Sequence, residues 1–145
     1  MKLKFLAVPL FIAGSFGLYS FDSKPVEPAP KQQGDPLAKS IAAGKTLYTT
    51  YCQVCHQENG MGIEGAFPPL AKSDYLMGDA KRAIGVVKNG LQGEVTVNGK
   101  KYNNVMPPQP LTDEQVAQVL NYVRNSWGNK GKIITTAEAK AVAKK

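Results

Sequence analysis

The chain has 145 residues, and its 18 Lys and Arg outnumber its 11 Asp and Glu to give a formal net charge of +7. This length suits a single domain. The excess charge lies at the ends, because residues 1–21 contribute +2, residues 130–145 contribute +4, and residues 22–129 carry 11 basic and 10 acidic side chains. A nucleic-acid-binding protein concentrates positive charge on the folded face that contacts phosphate, so this distribution argues against a nucleic-acid partner.

Residues 1–21 have the pattern of an export signal. A short basic start with Lys2 and Lys4 precedes an uncharged run from Phe5 to Phe21, which is typical of a signal peptide. The run of 17 residues is also about the minimum that spans a bilayer, so an uncleaved N-terminal membrane anchor is the alternative. Cleavage is favoured. Both interpretations place the rest of the chain in the periplasm or on the outer face of the cytoplasmic membrane.

The remaining chain divides into three parts by composition. Residues 22–34 contain three prolines among charged side chains and are predicted to be a Pro-rich linker. The folded domain is expected over residues 35–128. Residues 129–145 are rich in lysine and alanine and are expected to be a tail, either a frayed helix or disordered.

The folded part is predicted to begin with a helix. Asp35 is a suitable N-cap, and Pro36 suits the first helical position. Apolar and small residues then recur at helical spacing, namely Leu37, Ile41, Gly44, Tyr48 and Tyr51. Because glycine weakens a helix, Gly44 indicates that another element approaches closely.

The best-marked helix is the last one in the domain. Thr112 and Gln115 form a capping-box pair, and Gly128 is the expected stop. Its buried stripe is predicted to comprise Val116, Val119, Leu120, Val123 and Trp127. Between the two helices, residues 73–77 and 79–89 suggest shorter helices, and Asn98-Gly99 is a strong signal for a hairpin turn.

The two cysteines and the single histidine of the chain form one motif. Cys52-Gln53-Val54-Cys55-His56 matches the C-x-x-C-H pattern of covalent haem c attachment. At the end of a helix, positions i, i+3 and i+4 share a face, so both thiols and the imidazole can face one porphyrin, with His56 as proximal iron ligand. A thioredoxin-type site would need a β-α-β pattern, which the sequence lacks. Zinc would need about four ligands, and this motif supplies three.

The sixth iron ligand is predicted to be a methionine, because the chain has no second histidine and methionine raises the reduction potential of electron-carrying cytochromes. Met106 is favoured, because it lies in a separate segment that Pro107 and Pro108 make rigid. Met77 and Met61 remain as alternatives, in that order. Met77 is expected to fill the core, and Met61 follows His56 too closely.

The run from Gly44 to Gly128 resembles a class I c-type cytochrome, of the small bacterial monohaem kind. Gly44 and Tyr48 are similar to the glycine and aromatic of the family's N-terminal helix, and Val119 and Tyr122 to the residues that cross them. Residues 104–107 resemble the distal-ligand loop. The resemblance implies a mostly α fold with short helices packed around one covalent haem, and the hairpin at Asn98-Gly99 is an insertion that either covers the propionate edge or contacts a partner.

The resemblance also implies roles for residues outside the haem motif. In Phe67-Pro68-Pro69-Leu70, the Pro68 carbonyl is expected to accept the ring proton of His56, which orients the ligand. Tyr102 and Trp127 resemble aromatics that line the haem or bind its propionates, although plain core packing is an equal alternative.

The predicted function is one-electron transfer outside the cytoplasm by a monomeric, low-spin His/Met cytochrome that is not itself an enzyme. Redox proteins are its expected donor and acceptor. Electrons are expected to pass through an exposed haem edge ringed by apolar residues, with Gly60, Ile63 and Phe67 as candidates. A haem enzyme or gas sensor would need a distal histidine or arginine. A third possibility is a cytochrome module or subunit of a membrane or periplasmic oxidoreductase complex.

Overall fold

The computed structural model describes residues 35–145. The predicted signal peptide or anchor at residues 1–21 and the predicted linker at residues 22–34 lie outside the described residues. Within residues 35–145, every helix is too short or too polar to cross a membrane.

The described part of the chain is mostly helical, with a single two-stranded hairpin between the fourth and fifth helices. In chain order, its elements are α1 Pro36–Tyr51, α2 Gln53–His56, α3 Asp74–Gly78, α4 Ala80–Asn89, β1 Val95–Val97, β2 Lys100–Tyr102, α5 Asp113–Val123 and α6 Thr136–Ala141. The mostly α fold with a small hairpin, predicted from the sequence, is confirmed.

The predicted helix starts are confirmed by their caps. The Asp35 carboxylate accepts a hydrogen bond from the backbone N–H of Leu37 at 3.0 Å at the start of α1. At the start of α5, the hydroxyl of Thr112 accepts from the N–H of Gln115, and the Gln115 side chain accepts from the N–H of Thr112. These bonds satisfy donors that a helix cannot pair internally.

Helices α1 and α5 cross at Gly44. A Cβ atom at this position would lie 2.0 Å from the backbone oxygen of Gln118, so only glycine permits the approach. One turn later, the buried Tyr48 ring packs on Tyr122 with a centroid separation of 5.4 Å. The close approach predicted from Gly44 is therefore present.

The hairpin turn forms at Asn98-Gly99 as predicted. Both residues have positive φ, 50° and 76°, as a tight two-residue hairpin turn requires. Asp74 fixes the turn to the start of α3, because its N–H donates to Asn98 Oδ1 at 3.0 Å while its own Oδ1 accepts from the Asn98 N–H at 2.8 Å. The side chains of Val97 in β1 and Tyr102 in β2 are buried.

Helix α5 ends at Val123, earlier than the predicted stop at Gly128. The chain after it folds back and satisfies the terminal carbonyl groups. The Val123 carbonyl accepts from the side chain of Asn129 at 2.7 Å, and the Arg124 carbonyl accepts from the N–H of Gly131 at 2.8 Å. These bonds replace the helical ones that a longer α5 would have made.

Residues 129–145 are not a free tail. Ile134 and Ala139 are buried in the same core as α1, α4 and α5. A capping box formed by Thr135 and Glu138 starts α6. The expectation of a frayed or disordered tail overlooked this signal, and the packing of two apolar side chains explains why the segment is ordered.

Lys88 in α4 attaches the end of this segment to the domain. Its buried ammonium donates to Asp113 Oδ1 at 2.7 Å, to the Ala139 carbonyl at 2.9 Å and to the Val142 carbonyl. All three ammonium protons therefore have acceptors, which is the condition for burying a charge.

Candidate functional site

The haem motif lies at the junction of α1 and α2. The backbone N–H groups of Cys55 and His56 both donate to the Cys52 carbonyl, at 3.2 and 2.9 Å. Cys52, Cys55 and His56 all line one cavity, in agreement with the shared face that their spacing predicted.

The imidazole of His56 is buried and oriented by one hydrogen bond. Its Nδ1 lies 2.9 Å from the carbonyl oxygen of Pro68, which can only accept, so Nδ1 carries the proton and Nε2 keeps its lone pair. Burial lowers the pKa of His56, and the bond to Pro68 opposes that change. A neutral imidazole with a free Nε2 is the form that binds a metal.

The two thiols differ in their surroundings. Burial, followed by the nearby Cys55, raises the pKa of the Cys52 thiol to about 11. A thiolate is therefore disfavoured at this position, whereas a thioether, which never ionises, fits it. Cys55 is half-buried beside the mouth of a cavity that also contacts Cys52.

Met106 lies in a short extended segment that pairs with Leu91, two residues after the end of α4. The N–H of each of Leu91 and Met106 donates to the carbonyl of the other, both at 2.9 Å. Gly90 allows this approach, because a Cβ there would lie 2.5 Å from the Met106 oxygen. No local pattern in the sequence pointed to Leu91 as the partner of this loop.

Two adjacent cavities, of ≈ 90 and ≈ 240 Å³, extend from the haem motif. Both cavities are lined by one set of residues from separate parts of the chain, namely Cys52, His56, Pro68, Leu91, Val95 and Met106. The first is otherwise lined almost wholly by apolar side chains. Two cysteines, one neutral histidine and a methionine around an apolar slot fit a covalently attached haem.

The other candidate methionines do not reach this slot. Met61 is 58% exposed, and Met77 packs against the hydrophobic core. Neither lines either of the two cavities. Within residues 35–145, no group of three or more His, Cys, Asp or Glu side chains is arranged to hold a metal ion.

The two predicted haem-contacting aromatics lie in different places. Tyr102 is buried and lines the second cavity. Trp127 is not among the residues that line either cavity. It packs against Tyr48 and Tyr122 instead, with centroid separations of 5.1 and 5.6 Å. The alternative of core packing therefore describes Trp127, which packs against the hydrophobic core.

The mouth of the second cavity is apolar and exposed. Phe67 lines it, and Ile63, paired with Phe67 through the backbone, is 44% exposed. Gly60 is buried beneath Trp127 and does not belong to this rim. Tyr51 and Val105, which were not predicted from the sequence, are exposed at the same mouth.

The comparisons with known proteins agree with this geometry. The profile of the family described as Cytochrome c matches residues 41–127. A cytochrome c-552 of Thermus thermophilus is 44% identical over 102 residues, which cover 67% of this chain and 68% of that protein.

Longer proteins contain a similar unit. The cytochrome c subunit of the quinone-dependent alcohol dehydrogenase of Gluconacetobacter polyoxogenes is 31% identical over 79% of this chain, which matches 27% of that subunit. The cytochrome c subunit of gluconate 2-dehydrogenase from Pantoea cypripedii is 31% identical over 88% of this chain and 31% of its own length. The profile match and the Thermus relatives show that this chain belongs to the class I c-type cytochromes, with haem c bound covalently at its C-x-x-C-H motif.

Proposed function

We propose that this cytochrome is a one-electron carrier whose iron is bound by His56 and Met106. The observation that carries the proposal is that these two side chains, fifty residues apart in sequence, line the same pair of cavities. Haem supplies an iron that cycles between the ferrous and ferric states. With both His56 and Met106 bound to it, the iron would have no position left for a substrate.

The chain's own residues account for the other requirements of a carrier. Pro68 orients His56 and raises its basicity, while the pairing of Leu91 with Met106 fixes the distal segment. Apolar walls exclude water and thereby favour the less charged, reduced state of the site. The exposed apolar mouth at Tyr51 and Val105 is where we expect a redox partner to approach.

Substitution of the distal ligand tests this proposal. In Met106→Ala, the absorption band of methionine-bound ferric iron at the far-red edge should disappear, and the midpoint potential should fall, because a thioether ligand raises it. The same variant should bind carbon monoxide readily in the reduced state, whereas the unaltered protein should not.

Met61→Ala is the matched control, because Met61 is exposed and lies away from both cavities. It should keep the band and the potential. An unchanged spectrum in Met106→Ala would show that another residue binds the iron. Rapid carbon monoxide binding by the unaltered protein would contradict an electron carrier with two protein ligands.

We also propose that the protein acts outside the cytoplasm, in the periplasm or at the outer face of the membrane, as the composition of residues 1–21 indicates. Protease treatment of intact cells with a permeabilised outer membrane would test this. Digestion only after lysis of the inner membrane would contradict it.

A second candidate is a cytochrome module or subunit of an oxidoreductase complex. The similarity to the cytochrome c subunits of alcohol and gluconate dehydrogenases supports it. Native electrophoresis of membrane and soluble fractions, stained for haem, distinguishes the two. Migration as a small single species favours the free carrier, and co-migration with dehydrogenase activity favours the subunit.

A further inference from the structure

Asn129 lies just beyond the region that the family profile matches and uses its whole side-chain amide. Its Nδ2 donates to the Leu70 carbonyl at 2.9 Å and to the Val123 carbonyl at 2.7 Å. Its Oδ1 accepts from the N–H of Lys72 at 2.9 Å. The side chain is buried, and it joins the segment after Pro68 to the end of α5.

This segment is joined to the acceptor of the His56 hydrogen bond by a short stretch of backbone. Leu70 follows Pro68 with only Pro69 between them. Proline fixes its own φ, so the ψ of Pro69 is the one freely rotating backbone dihedral between the Pro68 carbonyl and the Leu70 N–H. The placement of Leu70 therefore constrains where the acceptor of the His56 proton lies.

The other anchors of this segment belong to the same loop as His56. The N–H groups of Leu70 and Ala71 donate to the Gly60 carbonyl at 2.7 and 2.9 Å, and Ile63 pairs with Phe67. Among the described residues, Asn129 is the one whose hydrogen bonds join residues 57–72 to α5. Helix α5 in turn lines the haem cavity through Val119, Leu120 and Val123.

We propose that Asn129 is a positioning residue for the His56–Pro68 hydrogen bond and thereby influences the reduction potential. This inference rests on the proposed function, in which His56 binds the iron. A hydrogen bond from the far ring nitrogen raises the basicity of a histidine ligand and so stabilises the oxidised state. Loss of the Asn129 contacts loosens the Pro68 carbonyl, weakens that bond and makes the potential more positive.

The test compares Asn129→Ala with Asn121→Ala in the haem-containing protein. Asn121 is the matched control, because it is also buried and its side chain also makes three hydrogen bonds. These bonds join it to Ser40 and to both backbone groups of Ile134. None of them reaches residues 57–72. Both variants should lose stability. Only Asn129→Ala should shift the midpoint potential to more positive values and accelerate hydrogen exchange of the His56 Nδ1 proton several-fold.

Equal potentials and equal Nδ1 exchange in the two variants would overturn the inference while leaving the proposed function intact. A different result would contradict the proposed function itself, namely the absence of a His/Met spectrum in the unaltered protein. In that case the inference about Asn129 fails as well. If Asn129→Ala does not fold, hydrogen exchange in the unaltered protein decides. The Lys72 amide and the His56 Nδ1 proton should exchange through one opening with the same denaturant dependence, and different dependences would contradict the coupling.

Discussion

The phenol of Tyr48 joins α1 to the loop that follows the haem motif. It is buried, and its hydroxyl donates to the carbonyl of Gln57, the residue after His56. Tyr48→Phe should reduce the free energy of unfolding by about 1 kcal/mol, because a part-buried carbonyl loses its partner. Chemical denaturation measures this loss. Tyr51→Phe is the control, since Tyr51 is exposed, and an equal loss there would contradict the role of the bond.

The same residue predicts a pH dependence. Burial raises the pKa of Tyr48 well above its ordinary value of 10.0. The unfolded chain then releases this proton near pH 10 while the folded protein retains it, so Tyr48 contributes its stability below about pH 10 and loses it as the pH rises further. The stability advantage of the unaltered protein over Tyr48→Phe should shrink above about pH 10. A constant difference would refute this assignment.

Side-chain hydrogen bonds between residues far apart in the chain could not be predicted from the sequence. Asn129 bonds to backbone groups 57 and 59 residues away, and Lys88 to carbonyl groups 51 and 54 residues away. The presence of an asparagine or lysine in a sequence does not indicate which group accepts its hydrogen bonds. By contrast, the contact between His56 and Pro68 was predicted, because the family resemblance supplied the partner.

At the scale of secondary-structure elements, the crossing of α1 and α5 depends on the absence of a side chain at Gly44. Gly44→Ala would place a Cβ 2.0 Å from the Gln118 oxygen, so the two helices must move apart. We expect a loss of at least about 1–3 kcal/mol in the free energy of unfolding, as for other overpacked sites. Thermal or chemical denaturation provides the measurement.

Gly85 in α4 is the matched control for this substitution. A Cβ there would meet only Val142 Cγ1, at 3.9 Å, which is ordinary contact. Gly85→Ala should therefore stabilise the protein by about 0.5–1 kcal/mol through helix propensity. Similar effects of the two substitutions would show that the helix crossing is less tight than described.

Local signals predicted where elements begin better than where they end. The caps of α1 and α5 and the Asn98-Gly99 turn are short-range features, and all three formed. The end of α5 was wrong by several residues, because its terminal carbonyl groups are satisfied by residues 129 and 131, a tertiary effect. The capping box at Thr135 and Glu138 was present in the sequence, and the high lysine content of the segment obscured it.

At the scale of the whole molecule, the structure predicts that residues 129–145 unfold together with the rest of the domain. Two adjacent isoleucines test this, because Ile134 is 3% exposed and Ile133 is 41% exposed. Ile134→Ala should lower the free energy of unfolding by about 2–5 kcal/mol. Ile133→Ala should change it by about 0.5 kcal/mol. Equal small effects would mean that the segment does not belong to the cooperative unit.

The chemistry of the site could be predicted more fully than its shape. Cys52, Cys55 and His56 were predicted from a local motif. Met106 stays a predicted iron ligand, inferred from its place in a rigid separate segment. The cavity walls did not follow, because Leu91, Val95 and the α5 side chains reach the slot only through tertiary packing. Trp127 shows the same limit, since an aromatic near the end of a helix can face the cofactor or the helix crossing.

Helix α1 also separates the start of the described domain from the haem motif. Its 16 residues rise roughly 24 Å, with Asp35 at one end and the haem motif at the other. Whatever precedes Asp35 therefore joins the domain a full helix length from the cavity mouth.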